Sequence, residues 1–84
     1  NIITTKNIMN ETVLNTLKGH FGRDKEILPE TNMLNDLGAD DLDVVDIFMQ
    51  IEEALGITIP EEETFDVQTV QQVLDLVEKH NVED

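Results

Sequence analysis

Three stretches of this chain place apolar residues at intervals of three and four, the period at which one face of an α-helix repeats. In the first, from about Asn7 to Phe21, these residues are Met9, Val13, Leu14, Leu17 and Phe21. Thr5 stands as a cap before it, Gly22 stops it, and residues 1–6 read as a loose leader. In the last, about Thr69 to His80, Val70, Val73, Leu74 and Val77 lie at i, i+3, i+4 and i+7. Lys79 and His80 close that segment at the negative end of its dipole. Residues 22–39 form a long connection in which Pro29 forbids a helix through Leu28. Ile27, Leu28, Met33, Leu34 and Leu37 are expected to tack it to the core, with a short turn near Asn32 to Leu37. Ile57 to Ile59 is a short extended piece, and Pro60 opens a further helical turn through Glu61, Glu62 and Glu63. The expectation is an all-α fold, a small antiparallel bundle of three main helices plus one or two short ones, with no sheet. Helices of this length are marginal alone, so their apolar faces must pack together.

The middle segment, about Asp41 to Leu55, carries the functional signal. Asp40 is a natural N-cap, Asp43 completes a capping box, and Gly56 is the expected C-terminal stop. Asp43, Asp46, Gln50 and Glu53 recur at steps of three, four and three, one polar stripe along the helix. Leu42, Val45, Phe48, Met49 and Ile51 are expected to bury a wide face, with Val44 and Ile47 flanking. Met33 and Met49 read as core fillers, and Phe48 and Phe65 as core or interface anchors.

Charge narrows the partners. The 84 residues carry 5 Lys and Arg against 19 Asp and Glu, a net charge of -14. No Lys or Arg occurs between Lys25 and Lys79, while 15 Asp and Glu do. Like-charge crowding costs folding free energy. It reads either as a solubility device or as a surface meant for basic protein partners. The same sign excludes nucleic acid and anionic membranes. No run is apolar and long enough to span a bilayer. The absence of cysteine excludes disulfides and thiolate metal sites. One domain over 1–84, acting as a monomer, is expected.

The segment Leu37-Gly38-Ala39-Asp40-Asp41-Leu42-Asp43 leads straight into the acidic helix. Glu52-Glu53, then Ile57-Thr58-Ile59-Pro60-Glu61-Glu62-Glu63, Thr69-Val70-Gln71 and Asp75 follow it. This pattern resembles the acyl carrier proteins over about residues 8–80, without gaps from Leu34 onward. In that family a Leu-Gly-Ala-Asp-Ser-Leu-Asp stretch opens the second helix. The resemblance implies a non-enzymatic carrier of type II fatty acid or polyketide synthesis. Its serine would bear a 4'-phosphopantetheine arm, its bundle would part to shelter an acyl chain, and its second helix would dock on basic patches of synthesis enzymes and of phosphopantetheinyl transferase. By the same resemblance, Asp40, Asp41 and Leu42 occupy the cofactor attachment motif. Asp43, Asp46, Glu52, Glu53 and Glu61 occupy the acidic recognition positions, and Gly38 the tight turn before the helix. The compartment implied is a bacterial cytoplasm, or an organelle matrix or stroma.

The departure is Asp41, which stands at the serine position. Attack by a carboxylate on coenzyme A would give a labile acyl phosphate, so no arm is expected on this chain. Asp41 can imitate the single negative charge of a phosphodiester at the positive end of a helix. The alternative reading is a carrier-like interaction module without an arm.

Other chemistry is poorly supported. The cluster Asp40, Asp41, Asp43, Asp46 lacks the glycine of an EF-hand loop, so no metal site is expected. His20 and His80 read as helix-terminal histidines rather than catalytic groups. The chain has no serine, which excludes serine-hydrolase chemistry, and no catalytic residue is assigned.

Overall fold

In a computed structural model of the chain, residues 2–81 are described, with side chains from residue 7 onward. Four helices follow in order: α1 (Ile2–Phe21), α2 (Asp41–Leu55), α3 (Glu61–Thr64) and α4 (Val70–His80). The described residues form no strand, and a single antiparallel bridge joins Asn32 to Thr69. No helix among them is long and apolar enough to cross a membrane. The expected all-α bundle is therefore present.

Helix α1 corrects one expectation. It begins at Ile2 rather than near Asn7, so residues 2–6 belong to the helix and are not a loose leader. The physical reason is that residues 1–6 contain neither Gly nor Pro. Extending a formed helix costs far less than nucleating one. Thr5 is thus an interior residue of α1 and not its cap.

The other boundaries follow local chemistry. Helix α2 opens on a capping box in which Asp40 accepts from the Asp43 amide and Asp43 from the Asp40 amide. It ends at Gly56, which takes φ 67°, ψ 34°, a left-handed conformation that glycine adopts without steric cost. Helix α4 opens on a second capping box, Thr69 with Gln72. Its first two amides are satisfied from outside: Val70 N donates to the Thr31 carbonyl at 3.0 Å, and Gln71 N to the Pro29 carbonyl at 2.8 Å. Residues 29–31 are thus stitched to the start of α4. One turn at Asn32 is closed by Asp36 N donating to the Asn32 carbonyl at 2.7 Å. Asn32 Oδ1 accepts from the amides of Leu34 and Asn35.

One apolar core joins these elements. Met9, Val13 and Leu17 come from α1; Val44, Ile47, Phe48 and Ile51 from α2; Val70, Val73 and Val77 from α4. The connections add Ile27, Met33, Ala39, Ile59 and Val67. Within the long connection, Ile27 and Met33 are anchors as expected, whereas Leu28 points to solvent.

Candidate functional site

The N-terminal turn of α2 gathers the residues of the motif. Asp40, as N-cap, accepts from Asp43 N at 3.0 Å through Oδ1, and its own amide donates to Asp43 Oδ2 at 3.1 Å. Gly38, at φ 72°, turns the chain just before this cap. Asp41 is the first residue of the helix and is exposed. It lies on the rim of an open cleft of about 270 Å³ between α2 and the α3 region. Leu34, Val44, Val45, Thr64, Phe65 and Val67 line the cleft beside it. A group attached at position 41 would therefore have a slot of mixed apolar and polar lining next to it, with Gln68 and Thr64 among the apolar side chains, and a helix N-terminus beneath it that favours negative charge.

The solvent face of α2 is broader than the narrow acidic stripe expected: Asp46, Gln50 and Glu53 are exposed and Asp43 is half-buried, but apolar residues share the face. Val44, Ile47, Phe48 and Ile51 are the buried residues of the helix. Opposite them stand Leu42, Asp46, Met49 and Glu53, at steps of four, three and four. Leu42 is 79% exposed and Met49 60%. Met49 is thus not a core filler, and Leu42 does not help bury the wide face. Phe65, just beyond α3, is 66% exposed and is no core anchor. The face available to a partner is apolar and acidic in alternation. A signal existed in the sequence: Leu42 and Met49 are seven apart, which puts them on the Asp46–Glu53 side once Ile47 and Ile51 face inward.

The acidic residues fall into different roles. Asp46 and Glu53 are exposed on that face, and Glu61 is exposed at the start of α3. Glu52 is turned to an internal task, with Oε2 accepting from the Ile59 amide at 2.9 Å. This pins the extended piece after α2. Asp43 has three ties: its two capping-box bonds and a contact of 3.1 Å to His20 Nε2 from the end of α1. The Asp40 amide first, and then His20, hold the Asp43 carboxyl below the ordinary aspartate value.

His20 reaches a second acid as well, with Nδ1 3.6 Å from Asp46 Oδ2. The edge-to-face contact of its ring with Phe21, centroids 4.9 Å apart, helps hold it there. His80 makes a similar link at the other end of the chain. Glu63 of α3 meets Lys79 Nζ at 2.7 Å and His80 Nε2 at 3.2 Å. Lys79 first, and then His80, lower the Glu63 carboxyl. The sequence places both histidines at helix ends; the carboxylates they meet lie 23 and 17 residues away. No group of three or more potential ligands among the described residues is arranged to hold a metal ion.

Comparison with known proteins points the same way as the site. The family model described as "phosphopantetheine attachment site" matches residues 11–77. An acyl carrier protein of Syntrophobacter fumaroxidans is 40% identical over 73 residues, which cover 86% of this chain and 90% of that protein. One from Rubrobacter xylanophilus is 42% identical over 57 residues, covering 68% and 70% respectively. Among solved structures, a Mycobacterium tuberculosis protein provisionally described as an acyl carrier protein superposes with a TM-score of 0.78. That match covers 84% of this chain and 96% of the other at 24% identity, so it speaks to the fold alone.

A phosphopantetheine group fits the surroundings of position 41 and not the residue itself. The cleft and the helix end suit an arm and its phosphate. The carboxylate of Asp41 offers no hydroxyl to form a stable phosphodiester.

Proposed function

The chain belongs to the acyl carrier protein family, whose members are carriers rather than enzymes, and on that premise we propose that it is an unarmed carrier scaffold of type II fatty acid or polyketide synthesis. Its docking face is the solvent side of α2. The observation that carries this reading is the place of residue 41: it opens α2, borders the cleft lined in part by Leu34, Val44, Val45, Phe65 and Val67, and adjoins the exposed run Leu42, Asp46, Met49, Glu53. The cleft supplies shelter for an apolar chain at the point where an arm would begin. The exposed Leu42 and Met49 supply apolar contact area, and the flanking carboxylates steer basic surfaces toward them. Charge supplies mainly on-rate and orientation, whereas the desolvated apolar pair supplies residence time.

Restoring the hydroxyl tests the scaffold. Asp41→Ser, incubated with coenzyme A and a bacterial phosphopantetheinyl transferase, should gain the mass of one phosphopantetheine, and the parent chain should gain none. A folded Asp41→Ser protein that stays unmodified would sink the carrier reading. It would instead favour the second reading, an interaction module that kept the docking face and lost the arm. Asp41 itself is the observation behind that second reading. Docking is tested separately: Asp46→Lys and Glu53→Lys should each weaken binding to the transferase and flatten its salt dependence.

A further inference from the structure

His20 is the one basic side chain within ion-pair distance of α2 carboxylates among the described residues, and it sits between two of the carboxylates that flank the docking face. Nε2 is 3.1 Å from Asp43 Oδ1, and Nδ1 is 3.6 Å from Asp46 Oδ2. Both ring nitrogens therefore point at groups that, when ionised, can only accept hydrogen bonds. A neutral imidazole has one N–H and one lone pair. It can satisfy one of these carboxylates and must present its lone pair toward the other. The 3.1 Å contact to Asp43 is a hydrogen bond, and the 3.6 Å approach to Asp46 is an ion-pair distance only. The imidazolium, with an N–H on each nitrogen, attracts both carboxylates.

We propose that His20 is a titratable internal counter-ion of the docking face: when protonated it bridges Asp43 and Asp46 and competes with a partner's basic groups, and when neutral it releases them. The inference rests on the docking role proposed for α2. The sign follows from charge. On protonation of His20 the face loses one net negative charge at its N-terminal end. Asp46, the more exposed of the two carboxylates, also becomes partly engaged. Docking to a cationic surface therefore weakens toward acid and strengthens toward mild alkali.

The charged surroundings of the ring agree with this reading. From α2 it is met by Asp43 and Asp46, with Asp40 bonded to Asp43 behind them. From α4, the other long helix packed on α1, no described ionisable group comes within ion-pair distance of the ring. Along its own chain Lys18 precedes it in the last turn of α1, and Arg23 and Lys25 follow in the connection. Asp46 is also held by Gln50, whose Nε2 donates at 3.1 Å, so that carboxylate stays oriented when the ring is neutral.

Two substitutions imitate the two charge states of the side chain at position 20. His20→Gln imitates the neutral state and His20→Lys the cationic one. Affinity for a bacterial phosphopantetheinyl transferase is measured for parent and variants between about pH 5.5 and 8. The ratio of parent to variant cancels the transferase's own titration. The parent should match His20→Gln near pH 8 and bind about two- to fivefold more weakly than it near pH 5.5, the weight of one exposed ion pair. His20→Lys should lie near the parent's acid value throughout. Should His20→Gln fail to fold, the parent's departure from His20→Lys as pH rises carries the same information.

A parent-to-variant ratio that is constant across the range overturns the proposal, as does a His20→Lys protein that binds as tightly as His20→Gln. Glu53→Lys, measured alongside at pH 8, separates the two levels. If it weakens binding while the ratio stays flat, only the role of His20 falls. If it binds like the parent, the docking face itself falls, and the counter-ion with it.

Discussion

Ile51 and Met49 are two residues apart on α2, are similar in size, and should respond very differently to truncation. Ile51 is 0% exposed at the centre of the core, while Met49 is 60% exposed. Ile51→Ala removes three carbons from a packed site. At about 0.8 kcal/mol per buried methylene this is about 2.4 kcal/mol of transfer free energy. The cavity left behind adds to it, which puts the total at about 3–4 kcal/mol. For a chain of 84 residues the whole stability is on the order of 4–13 kcal/mol, so the loss is a large share. Met49→Ala removes atoms that are mostly in water already. Their residual burial is worth about 1 kcal/mol at most, and the better helix propensity of Ala returns a few tenths. The net cost should stay below about 1 kcal/mol. Urea unfolding followed by far-UV circular dichroism is the suitable assay, because the chain has no Trp or Tyr to report by fluorescence. A lower midpoint with an unchanged slope for Ile51→Ala would identify a native-state packing loss. Met49→Ala should unfold near the parent midpoint yet bind the transferase more weakly. Equal destabilisation by the two substitutions would refute the assignment of inner and outer faces on α2, and with it the apolar half of the docking face.

The second capping box gives a smaller effect away from the site. Thr69→Ala should cost about 1 kcal/mol and lower Tm by about 4–8 °C without changing transferase binding. Acid should also act through two identified carboxylates. Asp43 and Glu63 are held below their ordinary values by their partners, so the stability they add is fully present above about pH 4.5 and is lost as pH falls through their lowered native values. Asp43→Asn and Glu63→Gln should therefore lose less stability than the parent between about pH 5 and 3, as read from urea midpoints. A parent that declines no faster than either variant would contradict these assignments.

The ends of α2 and α4 were legible in the sequence because the forces that set them act within four residues. Asp40 caps through Asp43, and Gly56 takes a left-handed turn. Thr69, the expected start of the last helix, is its cap, bonded to Gln72. The motif around Asp41 was legible for the same reason: a cap, a turn glycine and an acidic first turn are local chemistry. The start of α1 was missed because five residues without a breaker can join a helix or stay out of it, and local signals do not decide between the two.

Tertiary structure decided which side of each helix faces in and what the long-range polar partners are. Periodicity alone left Leu42 and Met49 among the candidates for burial. Packing α1 against Val44, Ile47, Phe48 and Ile51 turned both outward, onto the side shared with Asp46 and Glu53. Glu52 was assigned to partners by resemblance, yet the chain folds back to put the Ile59 amide on it. His20 comes to Asp43 across 23 residues, a contact no local pattern encodes, because it exists only once the end of α1 lies beside the start of α2. Local spacing set where the helices run, while the choice of buried face came from the free energy of enclosing one common core, a property of all the elements together.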